Sequence, residues 1–320
     1  MMELRSIGES DGFTFWLAQP EDYDAVMDIS DNIYGGNDYL PHRYHSWMTE
    51  PNRVVILAKR EGKLVALESG LVVDEGHTVV VEGLRVCPNE RGKGVARIIQ
   101  RWVQQYIRQL YPSVRVLRLT RNNDSGPEKL AKFTVLGKRA ILSICGKAEN
   151  LDSFLSILKA KLDPEPMLTV LDEVQLRGLL LDSELGSRLQ LPGDAMIVDW
   201  QPLQPIESNL EVFQRRNLTW LADRSVSPTF LSVHTPPYPV PYNGGSLRFN
   251  IDLFGTSQSL AHLALVSHLE RVRGKIQGVV WIFVYMQRSL WKGMREYCES
   301  LTDVVSFRDY WEQVILERPF

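Results

Sequence analysis

The stretch Thr78–Ala96, TVVVEGLRVCPNERGKGVA, reads as a strand that ends at Pro88, a basic glycine-rich turn, and the start of a helix. From Gly94 to Tyr111 the apolar residues Val95, Ile98, Ile99, Trp102, Val103, Tyr106, Ile107 and Leu110 recur at i, i+3, i+4 and i+7, which predicts an amphipathic helix stopped by Pro112. Between the two lies RGKGVA, Arg91–Ala96. Phosphate binds where free backbone N–H groups and the positive end of a helix dipole converge. Gly92 and Gly94 let the backbone approach, Arg91 and Lys93 add charge, and Val95 and Ala96 open the helix. The alternative is a basic glycine turn on a solvated face. Neither the second half of a Walker A motif nor GxGxxG is present, which weighs against nucleotide hydrolysis and dinucleotide binding.

Upstream, Phe13–Leu17 alternates as a strand does, and Pro20 suits the first turn of the helix that follows. RVVILAKR (53–60) and LVALESGLVV (64–73) predict a hairpin around Glu61-Gly62-Lys63, and Asp74-Glu75-Gly76 turns the second of these strands into the one beginning at Thr78. Downstream, VRVLRLTR (114–121) predicts a strand, Pro127 to Leu136 a helix, and Arg139 to Cys145 another strand. Hairpins followed by strand-helix-strand-helix-strand argue for an α/β (α+β) mixed sheet covered by helices. DPEP (163–166) marks a boundary, giving domains 1–162 and 163–320. The second half repeats the order with a strand at 247–255, a helix at 257–273, a strand at 278–286, a helix at 289–301 and a strand-like tail. It lacks an RxxGxG/A turn before its helix. SPTFLSVHTPPYPVPYNGG (227–245) reads as extended loop or polyproline II, either a plain connector or an arm over the acceptor site.

RGKGVA in this strand order resembles the Q/R-x-x-G-x-G/A signature of the GCN5-related N-acetyltransferases (GNAT), over residues 13 to 146. VEGLRVCPNERGKGVA, the NDYLP segment and the second half look more closely like the vertebrate histidine N-acetyltransferase group. The resemblance implies a GNAT fold followed by a degenerate GNAT-like domain without the CoA motif. It also implies acetyl-CoA as co-substrate, its pyrophosphate on Arg91–Ala96, and a small amine acceptor, L-histidine in the closer group. Leu84 and Val86 would pair with the pantetheine through backbone, the N–H of Val86 or its neighbour would face the thioester oxygen, and Asn122 would touch the same arm. A family Tyr four residues before a Gly would protonate the leaving thiolate. Phe133, before Gly137, stands there instead, leaving Tyr34, Tyr39 and Tyr44 as candidates.

Acetyl transfer needs a neutral amine, so a base is sought. Glu82 lies mid-strand where many family members place a carboxylate; the other reading is a rim ion pair. Antiparallel register through the 74–76 turn predicts Glu68 opposite Glu82, and paired carboxylates raise one pKa. YGGNDYLPHRYHSW (34–47) offers Asp38, Tyr39 and Arg43 as a pocket wall. His42 and His45 lack a third ligand at metal spacing, so no metal is expected. Cys87 and Cys145 read as strand core with no adjacent His, which favours direct transfer in a ternary complex over a cysteine acyl-enzyme.

Across 320 residues, 36 Lys+Arg face 39 Asp+Glu, a net charge of −3, so a nucleic-acid partner bound through bulk charge is not expected. The longest apolar run, VVWIFVYM (279–286), is too short to span a bilayer. Three scattered cysteines and a polar N-terminus fit a reducing cytoplasm. Two other functions share these features: acetylation of peptide N-termini or lysines, and non-catalytic acyl-CoA sensing. Nothing in the residues specifies an oligomeric state.

Overall fold

The structure, a computed structural model, describes residues 6–122, 126–299, 301 and 304–320. Its contacts separate two compact units, Met1–Leu119 with Val240–Asn243 and Arg318–Phe320, and Thr120–Pro239 with Gly244–Glu317.

The first unit is a mixed sheet built from β1 (Gly8–Ser10), β2 (Phe13–Leu17), β3 (Arg53–Arg60), β4 (Lys63–Val73), β5 (Thr78–Val86) and β6 (Val116–Asn122), in that spatial order. The β3–β4 hairpin turns on Glu61 (φ 51°) and Gly62 (φ 78°), the left-handed pair that a two-residue turn requires. Helices α1 (Tyr23–Asp28) and α2 (Leu40–Trp47) bury Val26, Leu40, Tyr44 and Trp47 against Val55, Leu57 and Leu67 on one sheet face. Helix α3 (Val95–Leu110) covers the other face with Val95, Ile99, Val103 and Ile107. Each such side chain contributes about 1.5–3 kcal/mol of burial.

Two irregularities shape this sheet. Leu67 pairs with Arg85 and Ser69 with Glu82, so Glu68 alone opposes Gly83 and Leu84. That is a β-bulge on β5, with Gly83 at φ 75°. The expected Glu68–Glu82 pairing is therefore corrected to Ser69–Glu82: the added residue shifts the register by one and leaves the two glutamates on opposite faces. The bulge also brings Glu82 and Arg85, three positions apart, onto one face, where a regular strand would send them to opposite faces. The second irregularity is the short parallel pairing of β5 with β6, three residue pairs ending at Val80↔Arg118. Among the described residues, Val81–Val86 has no ladder on that side.

The strand expected at 139–145 is longer, β7 (Thr134–Lys147), and the helix expected over 127–136 is only α4 (Pro127–Leu130). The β-branched Thr134 and Val135 join the ladder to β16 (Trp311–Pro319) instead of continuing the helix. The second unit adds α5 (Leu151–Lys159), β8 (Thr169–Val170), α6 (Glu173–Leu180), α7 (Leu185–Leu189), β9 (Met196–Val198), β10 (Gln201–Leu203), α8 (Leu210–Gln214), β11 (Thr219–Ala222), β12 (Leu231–His234), β13 (Tyr238–Val240), β14 (Ser246–Phe254), α9 (Gln258–Val272), β15 (Val279–Met286) and α10 (Trp291–Cys298). Its sheet runs β16-β7-β15-β14-β12-β11-β8. Helices α5, α9 and α10 pack Phe154, Leu265 and Met294 on strand residues such as Ile144, Phe249 and Ile282. Because β7 is laddered to β15 from Val279↔Lys147 to Met286↔Ala140, the compact units divide at residue 119/120, which differs from the division at 162/163.

The order β14-α9-β15-α10 repeats β5-α3-β6-α4, as expected. The copy is closed where the first unit is open: β14 and β15 remain in register from Leu247↔Val280 to Asp252↔Tyr285, and Ser257 Oγ caps α9 by accepting the Leu260 N–H. The proline-rich segment is more ordered than the composition suggests, since its proline-free stretch 231–234 is β12, paired to β11 and β14. No helix among the described residues is long and apolar enough to cross a membrane.

The bulge makes a direct stability prediction. A Cβ at residue 83 would lie 2.6 Å from the Trp47 ring, at a φ that L-residues resist. Gly83→Ala should lower unfolding free energy by about 1–3 kcal/mol in chemical denaturation. An unchanged midpoint would contradict the bulge.

Candidate active site

At the start of α3, Gly92 and Gly94 adopt φ 78° and 81°, and a Cβ on either would meet nothing within 4 Å. No side chain caps α3 and no acidic residue occupies its first turn, so its N-terminal amides and dipole face open space. Arg91 ties the turn to the strand end, donating from Nε to Val86 O (3.0 Å) and from Nη2 to Asp31 O (3.4 Å). Lys93 is exposed, 3.5 Å from Glu90. This cradle fits the pyrophosphate of acetyl-CoA. Leu84 and Val86 lie on the part of β5 beyond the β6 ladder. Asn122 is the last residue of β6 and Phe133 immediately precedes β7; both fall in the second unit.

On the α1/α2 side of the bulge, the Glu82 carboxylate meets Arg53 Nη1 at 2.8 Å. Arg53 also donates to Ser69 Oγ (2.7 Å), pairs with Glu50 and stacks 4.5 Å over Trp47. Glu82 thus occupies a braced position. The expected rim ion pair exists, and the same geometry holds the carboxylate toward the face where the bulge also sends Arg85. Arg85 is only 1% exposed. Its Nη2 meets Asp38 Oδ1 at 2.5 Å, its Nη1 donates to Leu84 O, and its guanidinium lies 5.4 and 5.6 Å from the Tyr34 and Tyr39 rings. Arg85 Nε and Asp38 Oδ2 are buried without hydrogen-bond partners.

The segment 34–47 therefore gathers around an arginine that sequence reasoning missed, because the bulge, not the strand period, sets its direction. Asp38 accepts from the Leu40 N–H and anchors Arg85; Tyr39 is beside it, its hydroxyl pushed well above the usual range by burial and by Tyr34 and Glu82. Arg43 is half-buried on α2. Tyr44 spends its hydroxyl on Gln19 O (2.7 Å). Tyr34 is 54% exposed at φ 52° and precedes Gly35 and Gly36. Tyr242, from the proline-rich segment, packs on Gly36, whose added Cβ would lie 3.0 Å from Tyr242 Cα. His42 and His45 are exposed, and no group of three metal-ligating side chains occurs among the described residues.

Glu68 is on the opposite face, 3% exposed, accepting from Gln100 of α3 at 3.2 Å. Burial pushes its pKa up to about 8, against a lowering by the Gln100 hydrogen bond.

The chain is similar to known proteins along its whole length. The acetyltransferase (GNAT) family matches residues 23–127, and the family described as histidine N-acetyltransferase, C-terminal, matches residues 164–287. A protein of Scomber australasicus named histidine N-acetyltransferase is 39% identical over 96% of this chain and 93% of its own. A human protein named "Probable N-acetyltransferase 16" is 39% identical over 97% of this chain and 86% of its own. Among solved structures, a tandem GNAT protein from the clavulanic acid biosynthesis pathway shares the fold with TM-score 0.55 at 12% identity, over 96% of this chain and 98% of that one.

The buried Glu68 carries a pH-dependent prediction. A carboxyl whose folded pKa lies above its unfolded value of about 4.3 costs stability as pH rises through that interval, and the cost is complete above about 8. Glu68→Gln should match wild type in thermal midpoint near pH 5 and exceed it at pH 9. A difference that stays constant with pH would refute the buried, protonated carboxyl.

Proposed function

Because the chain belongs to the GCN5-related N-acetyltransferases, in the histidine N-acetyltransferase group, and is an acetyl-CoA-dependent enzyme, we propose that it acetylates the α-amine of free L-histidine by direct transfer in a ternary complex. The observation that carries this reading is the bulge at Gly83–Leu84, which presents a carboxylate and a guanidinium on one face, three residues apart. A free amino acid carries the complementary pair, an ammonium that must lose its proton and a carboxylate that seeks an arginine.

Acetyl-CoA supplies an activated acyl thioester. The amides of Gly92–Ala96 would hold its pyrophosphate, with Arg91 and Lys93 adding positive potential, while the backbone of Leu84 and Val86, and Asn122, would contact the pantetheine. Glu82 takes the amine proton, directly or through a water, from a position fixed by Arg53. Arg85, held by Asp38, takes the substrate carboxylate through its free Nε when Tyr34 moves aside, and the Tyr34 and Tyr39 rings flank the imidazole. Arg43 completes the wall. Tyr34 and Tyr39 retain hydroxyl protons for the leaving thiolate, whereas Tyr44 is committed to the backbone. Glu68, protonated and on the other face, keeps the bulge in place from below; it does not pair with Glu82.

Direct transfer fits the cysteines. Burial pushes the Cys298 thiol up to about 12 and raises Cys145, so neither is a ready nucleophile. Three free cysteines also accord with a cytoplasmic setting. The second unit, with its capped α9 and closed β14–β15 ladder, serves as a packing partner without CoA, and Tyr242 covers Gly36 as part of the acceptor wall.

Acetyl-CoA turnover over a panel of free amino acids, with thiol release as readout, tests the acceptor. L-histidine should give the highest kcat/KM, and a lysine peptide preferred over every free amino acid would overturn the reading. Glu82→Gln should lower kcat/KM by about 10²-fold or more and remove its acidic limb. Arg85→Met should raise KM for histidine but not for acetyl-CoA, and Cys87→Ser should retain activity. Full activity in Glu82→Gln would sink the assignment of the base.

A further inference from the structure

The second unit contains a cavity of about 160 Å³ whose wall includes Lys138, Arg139, Leu191, Leu253, Phe254 and Gln287. It lies at the carboxyl ends of the parallel pair β14 and β15: Leu253 and Phe254 finish the one, and Gln287 follows the other. Open α/β sheets bind ligands at that end of their strands.

Arg139 is the buried charge in its wall, 4% exposed. Nη2 donates to Asp252 Oδ1 (2.6 Å) and Gln313 Oε1 (2.7 Å), and Nε to Gln313 Oε1 (3.0 Å), while the guanidinium lies 5.6 Å from the Phe254 ring and 5.5 Å from that of Tyr285. Nη1 has no hydrogen-bond partner. An unmet donor on a buried charge is costly unless a ligand supplies the acceptor. The residues that line the cavity include two cations and, among the described residues, no carboxylate. Lys138 is offset by Glu312 at 3.7 Å, and Glu312 also binds Arg288 at 2.7 Å.

We propose that this cavity is a second ligand site, which binds a small monocarboxylate lacking a free amine through Arg139. The carboxylate meets Nη1, and the remainder packs on Leu191, Leu253 and Phe254. An ammonium would find no anionic partner on the wall, so N-acyl amino acids are favoured over free ones. A cavity of about 150 Å³ accommodates a molecule of benzene size, which sets the scale of the group that enters. Identifying N-acyl amino acids with what the enzyme releases rests on the acetyl-transfer reading; the cavity and its charge do not.

Calorimetric titration of the full chain with N-acetylglycine and with glycine, without acetyl-CoA, tests the site. Saturable binding of N-acetylglycine is expected, at least tenfold tighter than glycine. It should weaken at least tenfold in Arg139→Gln and remain unchanged in Glu82→Gln. Gln190→Glu, which places a carboxylate on an exposed wall residue with no part in the core, should weaken it about threefold with an unchanged thermal midpoint, and it decides the matter if Arg139→Gln fails to fold. No saturable binding, equal binding of glycine, or binding that survives both wall variants would overturn the proposal. Histidine turnover is assayed separately, so failure of the acetyl-transfer reading is distinguishable from failure of this site.

Discussion

A single backbone irregularity, two residues of β5 facing one of β4, determines what the first unit presents to a substrate. Glycine at residue 83 makes it possible, because the left-handed backbone there accepts no Cβ and the Trp47 ring leaves no room for one. The bulge sends Glu82 and Arg85 to the same face, puts Glu68 beneath α3, and precedes the stretch of β5 that β6 does not pair. Arg53 and Asp38 then brace the two charged groups, each through an ion pair with a nearly inaccessible arginine. Buried ion pairs of this kind contribute little net stability, yet losing one partner leaves an uncompensated charge, so they fix orientation.

The two units illustrate what a duplicated topology keeps and loses. Both carry a parallel strand pair joined by a helix. In the first, the pair separates early and the helix begins at an uncapped glycine. In the second, the ladder continues to the end of β14 and a serine hydroxyl occupies the cap. A few hydrogen bonds therefore distinguish a unit able to receive a phosphate from one that has closed the same opening around Arg139 and Asp252.

Much of this was legible in the chain. The α3 stripe, the two hairpins, the RGKGVA turn and the repeated order in the second half follow from periodicity and glycine placement, and the structure has them at the expected positions. What escaped was set by long-range pairing. Extrapolating register from the 74–76 turn missed the bulge, so Glu68 was matched to Glu82 and Arg85 was overlooked; the Glu82-Gly83 dipeptide within a strand was the available signal. The helix predicted through Leu136 lost its second half to the ladder with β16, a partner about 180 residues away in sequence. Prolines obscured β12, whose partners likewise lie in other segments.

The central claim is that the bulge creates an acceptor site for a free amino acid. A crystal structure with CoA and L-histidine tests it most directly. The claim predicts phosphates on the Gly92–Ala96 amides, the histidine amine on Glu82 directly or through one water, and its carboxylate on Arg85. Histidine bound away from the Glu82 and Arg85 face, with both ion pairs undisturbed, would contradict it.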